Sequence, residues 1–244
     1  MLIACADVDI ISTAPALFMG AMFNSGRLRV ASKRISTRQK VYVLTVKAMS
    51  EFATNLKVGG EEDRGMRGPV QTPMQYEKFK GFFTEGKISG WNFTGGGDQT
   101  GNGKRCFIYP TIIDNPPTDS RIVTEEAFVS TCLRPVYRIH AANPNRKLQG
   151  PVVPTQPWTD ENEVISRANR AGFGVGACVW SKDPDHARRL GAPLEVGTVW
   201  IDSAPKPPPK AASGGHGHSG IGAGGGSQGL KAYCNVQAVH IHHR

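Results

Sequence analysis

Long apolar runs are missing from this chain. Nothing approaches the ~18 consecutive hydrophobic residues a membrane span requires, so no transmembrane helix is expected. The first ten residues carry Asp7 and Asp9 and no lysine or arginine, which argues against a secretory leader. Aromatic residues make up only 8% and hydrophobic residues 39%, little for a globular enzyme and enough for one good core with long loops. Cysteine is also scarce. The five (5, 106, 132, 178, 234) are odd in number, widely spaced and never arranged as Cys-x-x-Cys. That spacing excludes a disulfide framework and a structural zinc site and points to reduced thiols in the cytoplasm.

Acidic residues are the scarcer charge: 20 Asp and Glu against 29 Lys and Arg leave a net charge of +9. Basicity alone reports solubility and non-specific attraction rather than nucleic-acid recognition. Four of the cations (Arg134, Arg138, Arg146, Lys147) fall in one segment, and no basic patch interleaved with aromatics is found elsewhere. No nucleic-acid partner is expected.

Glycine and proline are plentiful, and they punctuate an alternating pattern. Residues 2–5 read as the end of a buried strand. Ser12 or Thr13 can cap a helix with Pro15 in its first turn; Ala14, Leu17, Phe18, Ala21 and Met22 then form one apolar stripe that Gly26 ends. Residues 33–36 predict a short strand. Val41, Leu44, Ala48, Phe52 and Leu56 mark the face of a second helix, closed by Gly59-Gly60. A third helix is expected over residues 74–83, with Phe79, Phe82 and Phe83 as core. Residues 106–113 and 152–158 read as strands. Asp160 and Glu163 form a capping-box-like start for a helix burying Val164, Ile165 and Ala168. Strands over 175–180 and 198–201 flank a helix around 184–190. Apolar strands alternating with helices imply an α/β fold built on a parallel sheet covered on both faces. Residues 233–243 are expected to be an edge or inter-subunit strand.

Two signals are weak. Gly220-x-Gly222-x-x-Gly225 fits a dinucleotide pattern, but it lies in a tract so rich in glycine that a match is expected by chance. His216, His218, His240, His242 and His243 are read as loop and tail rather than as a metal site, because no acidic partner accompanies them.

The stronger signal is Phe23-Asn24-Ser25-Gly26-Arg27-Leu28-Arg29, just after the first helix. This stretch resembles the nucleophile loop of the aldehyde dehydrogenase family, Asn-x-Gly-Gln-x-Cys. Further resemblances follow in family order. They include Gly68-Pro69-Val70-Gln71, Phe107 to Ile112, Glu125-Glu126-Ala127-Phe128, Glu163 to Asn169, Gly197-Thr198-Val199-Trp200 and Gly214-Gly215 with Ser219-Gly220-Ile221-Gly222. They cover nearly the whole chain and correspond to the family's C-terminal catalytic part. The resemblance implies a catalytic domain at residues 1–232 and an oligomerisation strand and tail at 233–244. It also implies oxidation of an aldehyde to a carboxylic acid with NAD or NADP, Glu126 and Phe128 being cofactor-binding residues. In the family a cysteine thiolate adds to the aldehyde, amide donors hold the oxyanion, and a glutamate-activated water hydrolyses the thioester.

In the aligned loop Arg29 stands where the nucleophilic cysteine belongs. A guanidinium stays protonated and only donates hydrogen bonds, so it cannot attack a carbonyl. The family's dinucleotide-binding half, with its glycine loop, oxyanion-hole asparagine and general-base glutamate, has no counterpart in these residues. The chain as given is therefore expected to be truncated and inactive. The alternatives are a non-catalytic oligomerisation partner of full-length relatives and a pseudogene or mis-spliced product.

The family runs directly from the phenylalanine into Gly-Pro-Val. Here Phe128 and Gly150-Pro151-Val152 are separated by residues 129–149, a basic stretch without clear period. Val129-Ser130 can be encoded GTA-AGT, a splice donor, and Gln149 as CAG, an acceptor; Ala142-Asn143 can hide a branch point. A retained intron is the expected cause; the alternative is a genuine surface loop interrupting the strand. The Pro- and Gly-rich residues 205–228 also depart from the family.

Overall fold

The computed structural model describes residues 1–28, 30–59, 68–70, 72–96, 106–124, 150–206 and 209–242. The chain begins with β1 (Leu2–Ala4), passes over the sheet as α1 (Ile10–Gly26), re-enters as β2 (Ile35–Arg38) and leaves again as α2 (Gln39–Thr54). Helix α3 (Pro73–Ile88) leads to β3 (Asn92–Gly95), β4 (Thr111–Asp114) and the one-turn α4 (Arg121–Thr124). The second half runs β5 (Val152–Trp158), α5 (Glu161–Asn169), β6 (Phe173–Gly174), β7 (Ala177–Trp180), α6 (Pro184–Gly191) and β8 (Val199–Ile201). Two-residue strands β9 (Ser213–Gly214), β10 (His216–Gly217) and β11 (Ala223–Gly224) and the short α7 (Gly226–Lys231) follow.

Seven strands form one sheet in the order β3-β4-β5-β2-β1-β7-β8. All neighbours are parallel except β3 on β4. The expected parallel sheet is thus present, with one antiparallel edge strand that the residue pattern did not suggest. Both faces are covered because β1 sends alternate side chains to opposite sides. Leu2 and Ala4 pack with Leu17, Phe18 and Met22 of α1 and Met49 of α2. Ile3 and Cys5 pack with Val164 of α5 and Ala187 and Leu190 of α6. A third cluster gathers Phe79, Phe82 and Phe83 of α3 with Ile108, Ile113 and Val152.

Several boundaries move from their sequence positions. Helix α1 starts earlier: its cap is Asp9, whose carboxylate accepts from the Ser12 amide at 3.3 Å and the Ser12 hydroxyl at 2.6 Å. Ser12 is therefore inside the helix, and Pro15 sits in the second turn, where it deletes a hydrogen bond to the Ile11 carbonyl. The stripe of Ala14, Leu17, Phe18, Ala21 and Met22 is fully buried as expected. Strand β2 lies two residues later than residues 33–36. The strand expected over 106–113 is regular only from Thr111: Cys106 takes a left-handed backbone at φ 47, and Pro110, which has no amide to donate, directly precedes the regular part.

The buried face of α2 is rotated by one position. Tyr42, Thr45, Val46, Met49 and Ala53 face the core, whereas Leu44 is 58% and Val43 70% exposed. Tyr42 and Thr45 tolerate burial because their hydroxyls find partners. The Tyr42 hydroxyl donates to Asp114 Oδ1 at 2.5 Å and accepts from the Asn115 amide at 3.1 Å; Thr45 Oγ1 donates to the Val41 carbonyl at 2.8 Å. Helix α5 follows its residue pattern, with Asp160 Oδ1 accepting from the Glu163 amide at 2.8 Å and Val164 and Ala168 buried.

Strand β5 carries Pro154 and Pro157 although it lies between β4 and β2. Proline cannot donate to a ladder, so its place is normally a sheet edge. Thr155 Oγ1, buried between the two prolines, donates to the Ile113 carbonyl at 3.2 Å and supplies one side-chain link across β4 and β5.

Residues 233–242 pair with no strand among the described residues and are exposed throughout. Tyr233, Val236, Val239 and Ile241 are each at least 75% exposed.

Candidate active site

A helix that follows a parallel strand returns the chain to the strands' amino edge. The C-terminal end of α1 therefore sets the loop of residues 23–28 at that edge, beside the start of β5. The last turn of α1 is not helical. Phe23 is extended (φ −54, ψ 139), and Asn24 and Ser25 are left-handed (φ 51 and 53), followed by Gly26 at φ 68. Left-handed backbone costs a non-glycine residue about 1–2 kcal/mol. The surroundings hold it there. Ser25 Oγ donates to the Gly68 carbonyl at 3.1 Å, and the Arg27 amide and Nε donate to the Asn24 carbonyl at 3.1 and 3.3 Å. The Lys33 ammonium donates to the Gly26 carbonyl and lies 3.4 Å from the Gly150 carbonyl.

Only glycine fits at Gly26, for steric as well as conformational reasons. A Cβ there would lie 2.1 Å from the Gly150 carbonyl oxygen. Gly150 is equally confined, since its own Cβ would fall 2.1 Å from the Phe79 ring. Phe79, Gly150 and Gly26 thus stack from α3 to the loop. The Gly-Pro-Val segment continues in register beyond this contact: the Pro151 carbonyl accepts from the Thr111 amide at 2.8 Å, and Val152 pairs with Thr111.

Beside the loop lies an open cleft lined by Met19, Phe23, Asn24, Ser25, Arg27, Leu28 and Gly68. Arg29, which the sequence motif sets where the family has its nucleophile, lies outside the described residues, as do Glu126 and Phe128. The structure brings together the loop, Gly68 and Gly150 from the sequence-derived set. Lys33, read from sequence as the start of a strand, proves to tie the loop to β5. Nothing in the sequence marks that role, because its partners are backbone carbonyls.

Two of the described cysteines, Cys5 and Cys178, are buried. Cys5 lies just past the end of β1 opposite the loop. Burial, and secondarily the Asp7 carboxylate, pushes its thiol up to about 12. Burial likewise raises Cys178. A thiolate is the reactive form, so both are inert near neutral pH. Among the described residues, no three His, Cys, Asp or Glu side chains gather to hold a metal ion, and no helix is long and apolar enough to cross a membrane.

The glycine tract is not a dinucleotide cradle. Gly225 caps a helix, but α7 has only six residues and β11 lies within the motif rather than before it. The described residues therefore offer no phosphate site of the strand-glycine loop-helix kind.

A mostly parallel sheet sandwiched by helices, with a strained loop at its amino edge, defines an α/β domain of the Rossmann-like class. Its sequence matches the aldehyde dehydrogenase family over residues 1–143 and 136–239. An aldehyde dehydrogenase of Emericella nidulans is 31% identical over 235 residues, covering 96% of this chain and 43% of the relative. Retinaldehyde dehydrogenase 3 of Mus musculus is 31% identical over 240 residues, with 98% and 43% covered. The NAD+ complex structure of aldehyde dehydrogenase from Bacillus cereus superposes with a TM-score of 0.83 at 29% identity, covering 97% of this chain and 44% of that one. The chain belongs to the aldehyde dehydrogenase family, and it spans less than half the length of these relatives.

Proposed function

We propose that this chain is the catalytic-domain part of an enzyme oxidising an aldehyde to a carboxylic acid with NAD or NADP, and that residues 1–244 alone do not turn over. The observation carrying this reading is the loop itself. Its left-handed backbone, its contact with Gly150 and its Lys33 tie build a rigid platform, and the next residue in sequence after Leu28 is Arg29 rather than a thiol. The nicotinamide supplies the hydride acceptor when bound; Glu126 and Phe128 are the residues of this chain assigned to contact it. Free thiols at all four described cysteines favour a reducing, cytoplasmic setting.

The purified chain should show no NAD(P)-dependent oxidation of small aldehydes above background. Arg29→Cys should label with a thiol reagent faster than buried Cys5 and still give no turnover, because the residues supplying water activation and the phosphate cradle are not among these 244. Heat-labile turnover by the parent chain would refute the inactive reading.

The interruption at residues 129–149 is assigned to a retained intron. The two stretches that match the family overlap at 136–143, inside the interruption, and Gly150 resumes a close-packed place directly after it. Deleting 129–149 should raise the melting temperature and solubility, since it restores the Phe128-Gly150 junction and removes a loop-closure cost. A lower melting temperature for the deletion would show that the segment belongs to the fold.

A second reading has its own support. Tyr233, Val236, Val239 and Ile241 expose a run of apolar side chains that no described strand covers. Such a tail suits strand pairing with another subunit, making the chain a non-catalytic partner in oligomers of full-length relatives.

A further inference from the structure

Two backbone carbonyls meet at one side chain beneath the loop of residues 23–28. The Lys33 ammonium donates to the Gly26 carbonyl and lies 3.4 Å from the Gly150 carbonyl, partners 7 and 117 residues away in the chain. The fold sets this convergence. Gly26 leaves the helical ladder at φ 68, and a Cβ on it would stand 2.1 Å from the Gly150 oxygen. Both glycines are buried. A carbonyl oxygen is the negative end of a peptide dipole, so two that converge in a buried place repel each other and each needs a donor. One lysine meets both needs, because an ammonium carries three rotatable donors and a point charge. Its four-carbon stem alone would fill the space and supply neither.

Hydrogen bonds from a charged donor are roughly twice as strong as neutral ones. We propose that Lys33 is the positioning residue of this loop, its ammonium a tethered cation bound by the Gly26 and Gly150 carbonyls. When the side chain is shortened, a free primary ammonium ion takes its place in the cradle those oxygens form. The loop's shape then depends on a cation at this point, and not only on the glycines that allow the approach. The ammonium fixes where the backbone leaves Gly26 toward Arg27 and Leu28, and so how the following residues are presented. Lys33 also lines a small open pocket with Ala31, Arg34, Phe173 and Gly176, which gives a small amine a way in. The proposal rests on the family reading only in calling the loop a reacting one. Its test reads loop closure and no turnover, so the two fail separately.

The test follows amide hydrogen exchange in the full 244-residue chain. Arg27, whose amide donates to the Asn24 carbonyl, reports the loop; Cys5, whose amide donates to the Trp180 carbonyl, is the global control. Lys33→Met keeps the stem and removes the charge. Exchange at Arg27 should speed up about tenfold or more, with Cys5 unchanged. Lys33→Arg should stay within about threefold of the parent, since a guanidinium also donates with charge. Lys33→Ala should exchange as fast as Lys33→Met, and n-propylammonium chloride should recover most of the lost protection. Tetramethylammonium chloride at equal concentration, a cation with no N–H to donate, should recover none. Exchange at Arg27 in Lys33→Met within about twofold of the parent would overturn the proposal. So would equal recovery in the two salts, or equal acceleration at Cys5, which would make the loss global. Should Lys33→Ala not fold, n-propylammonium and not tetramethylammonium should restore folding, and failure in both would count against the cradle in the same way.

Discussion

The two ends of helix α1 are built on different principles. At its start, between β1 and the first turn, every local requirement is met by a nearby side chain. Asp9 caps the helix, and Asp7 takes the Ser181 hydroxyl at 2.7 Å and the Asp183 amide at 3.2 Å. At its end two non-glycine residues sit in left-handed backbone, and the loop is held by distant elements: Gly68, Lys33 and the Gly150–Phe79 contact. The first end is ordinary capping chemistry. The second stores strain that the surrounding fold must oppose, as reacting loops do. The strained geometry is held by packing and by hydrogen bonds to backbone carbonyls of distant elements.

If packing alone maintains both ends, removing it should cost most. Phe18, fully buried between them and edge-on to Phe52 at 5.7 Å, is the shared support. Phe18→Ala should destabilise the chain by about 3–5 kcal/mol in urea unfolding. A loss below about 1 kcal/mol would mean that the two ends do not depend on a common core.

Gly26→Ala attacks the strained end only. The added Cβ meets a backbone carbonyl, and the backbone must keep φ 68, so both strain and overpacking apply. A loss of about 2–4 kcal/mol is expected from these two costs together. Faster labelling of a reporter thiol placed by Arg29→Cys should accompany it if the loop opens before the domain unfolds. Little change in either measurement would show that the loop is free to move away from Gly150.

Particular residues show where the sequence was sufficient. The stripe of Ala14, Leu17, Phe18, Ala21 and Met22 announced α1, and Asp160 with Glu163 announced α5, because burial and capping leave periodic marks. Helix α2 misled for a physical reason. Tyr42 and Thr45 read as polar, yet both are buried: Asp114, far along the chain, satisfies Tyr42, and the Val41 carbonyl one turn back satisfies Thr45, partners that periodicity does not register. Strand β5 was legible despite its two prolines only through its apolar run. At the site, the motif located the loop, but the Lys33 tie and the Gly26–Gly150 approach depend on elements more than a hundred residues apart. The glycines hinted at close backbone approach; their partner did not show.

The smallest effect belongs to the well-satisfied end. Burial pushes the Asp7 carboxyl up, but the Ser181 hydroxyl and the backbone amides around Asp183 outweigh it and hold the group below the ordinary aspartate range. A folded pKa below the unfolded one means that the unfolded chain takes up the proton first on acidification. The contribution is therefore complete above about pH 4, the unfolded aspartate value, and disappears as pH falls through the lower folded value. Asp7→Asn keeps an acceptor for Ser181 and removes the charge. The variant should unfold at slightly lower urea than the parent at pH 7, and the gap should narrow as pH falls from about 4 to 3. Ser181→Ala should reproduce part of the gap at pH 7 by removing the hydroxyl that favours the ionised form. The strained end, held through hydrogen bonds to backbone carbonyls, should show no such acid dependence in the gap between parent and Gly26→Ala. A gap for Asp7→Asn that stays constant from pH 7 to pH 3 would place its effect in packing and erase the distinction between the two ends.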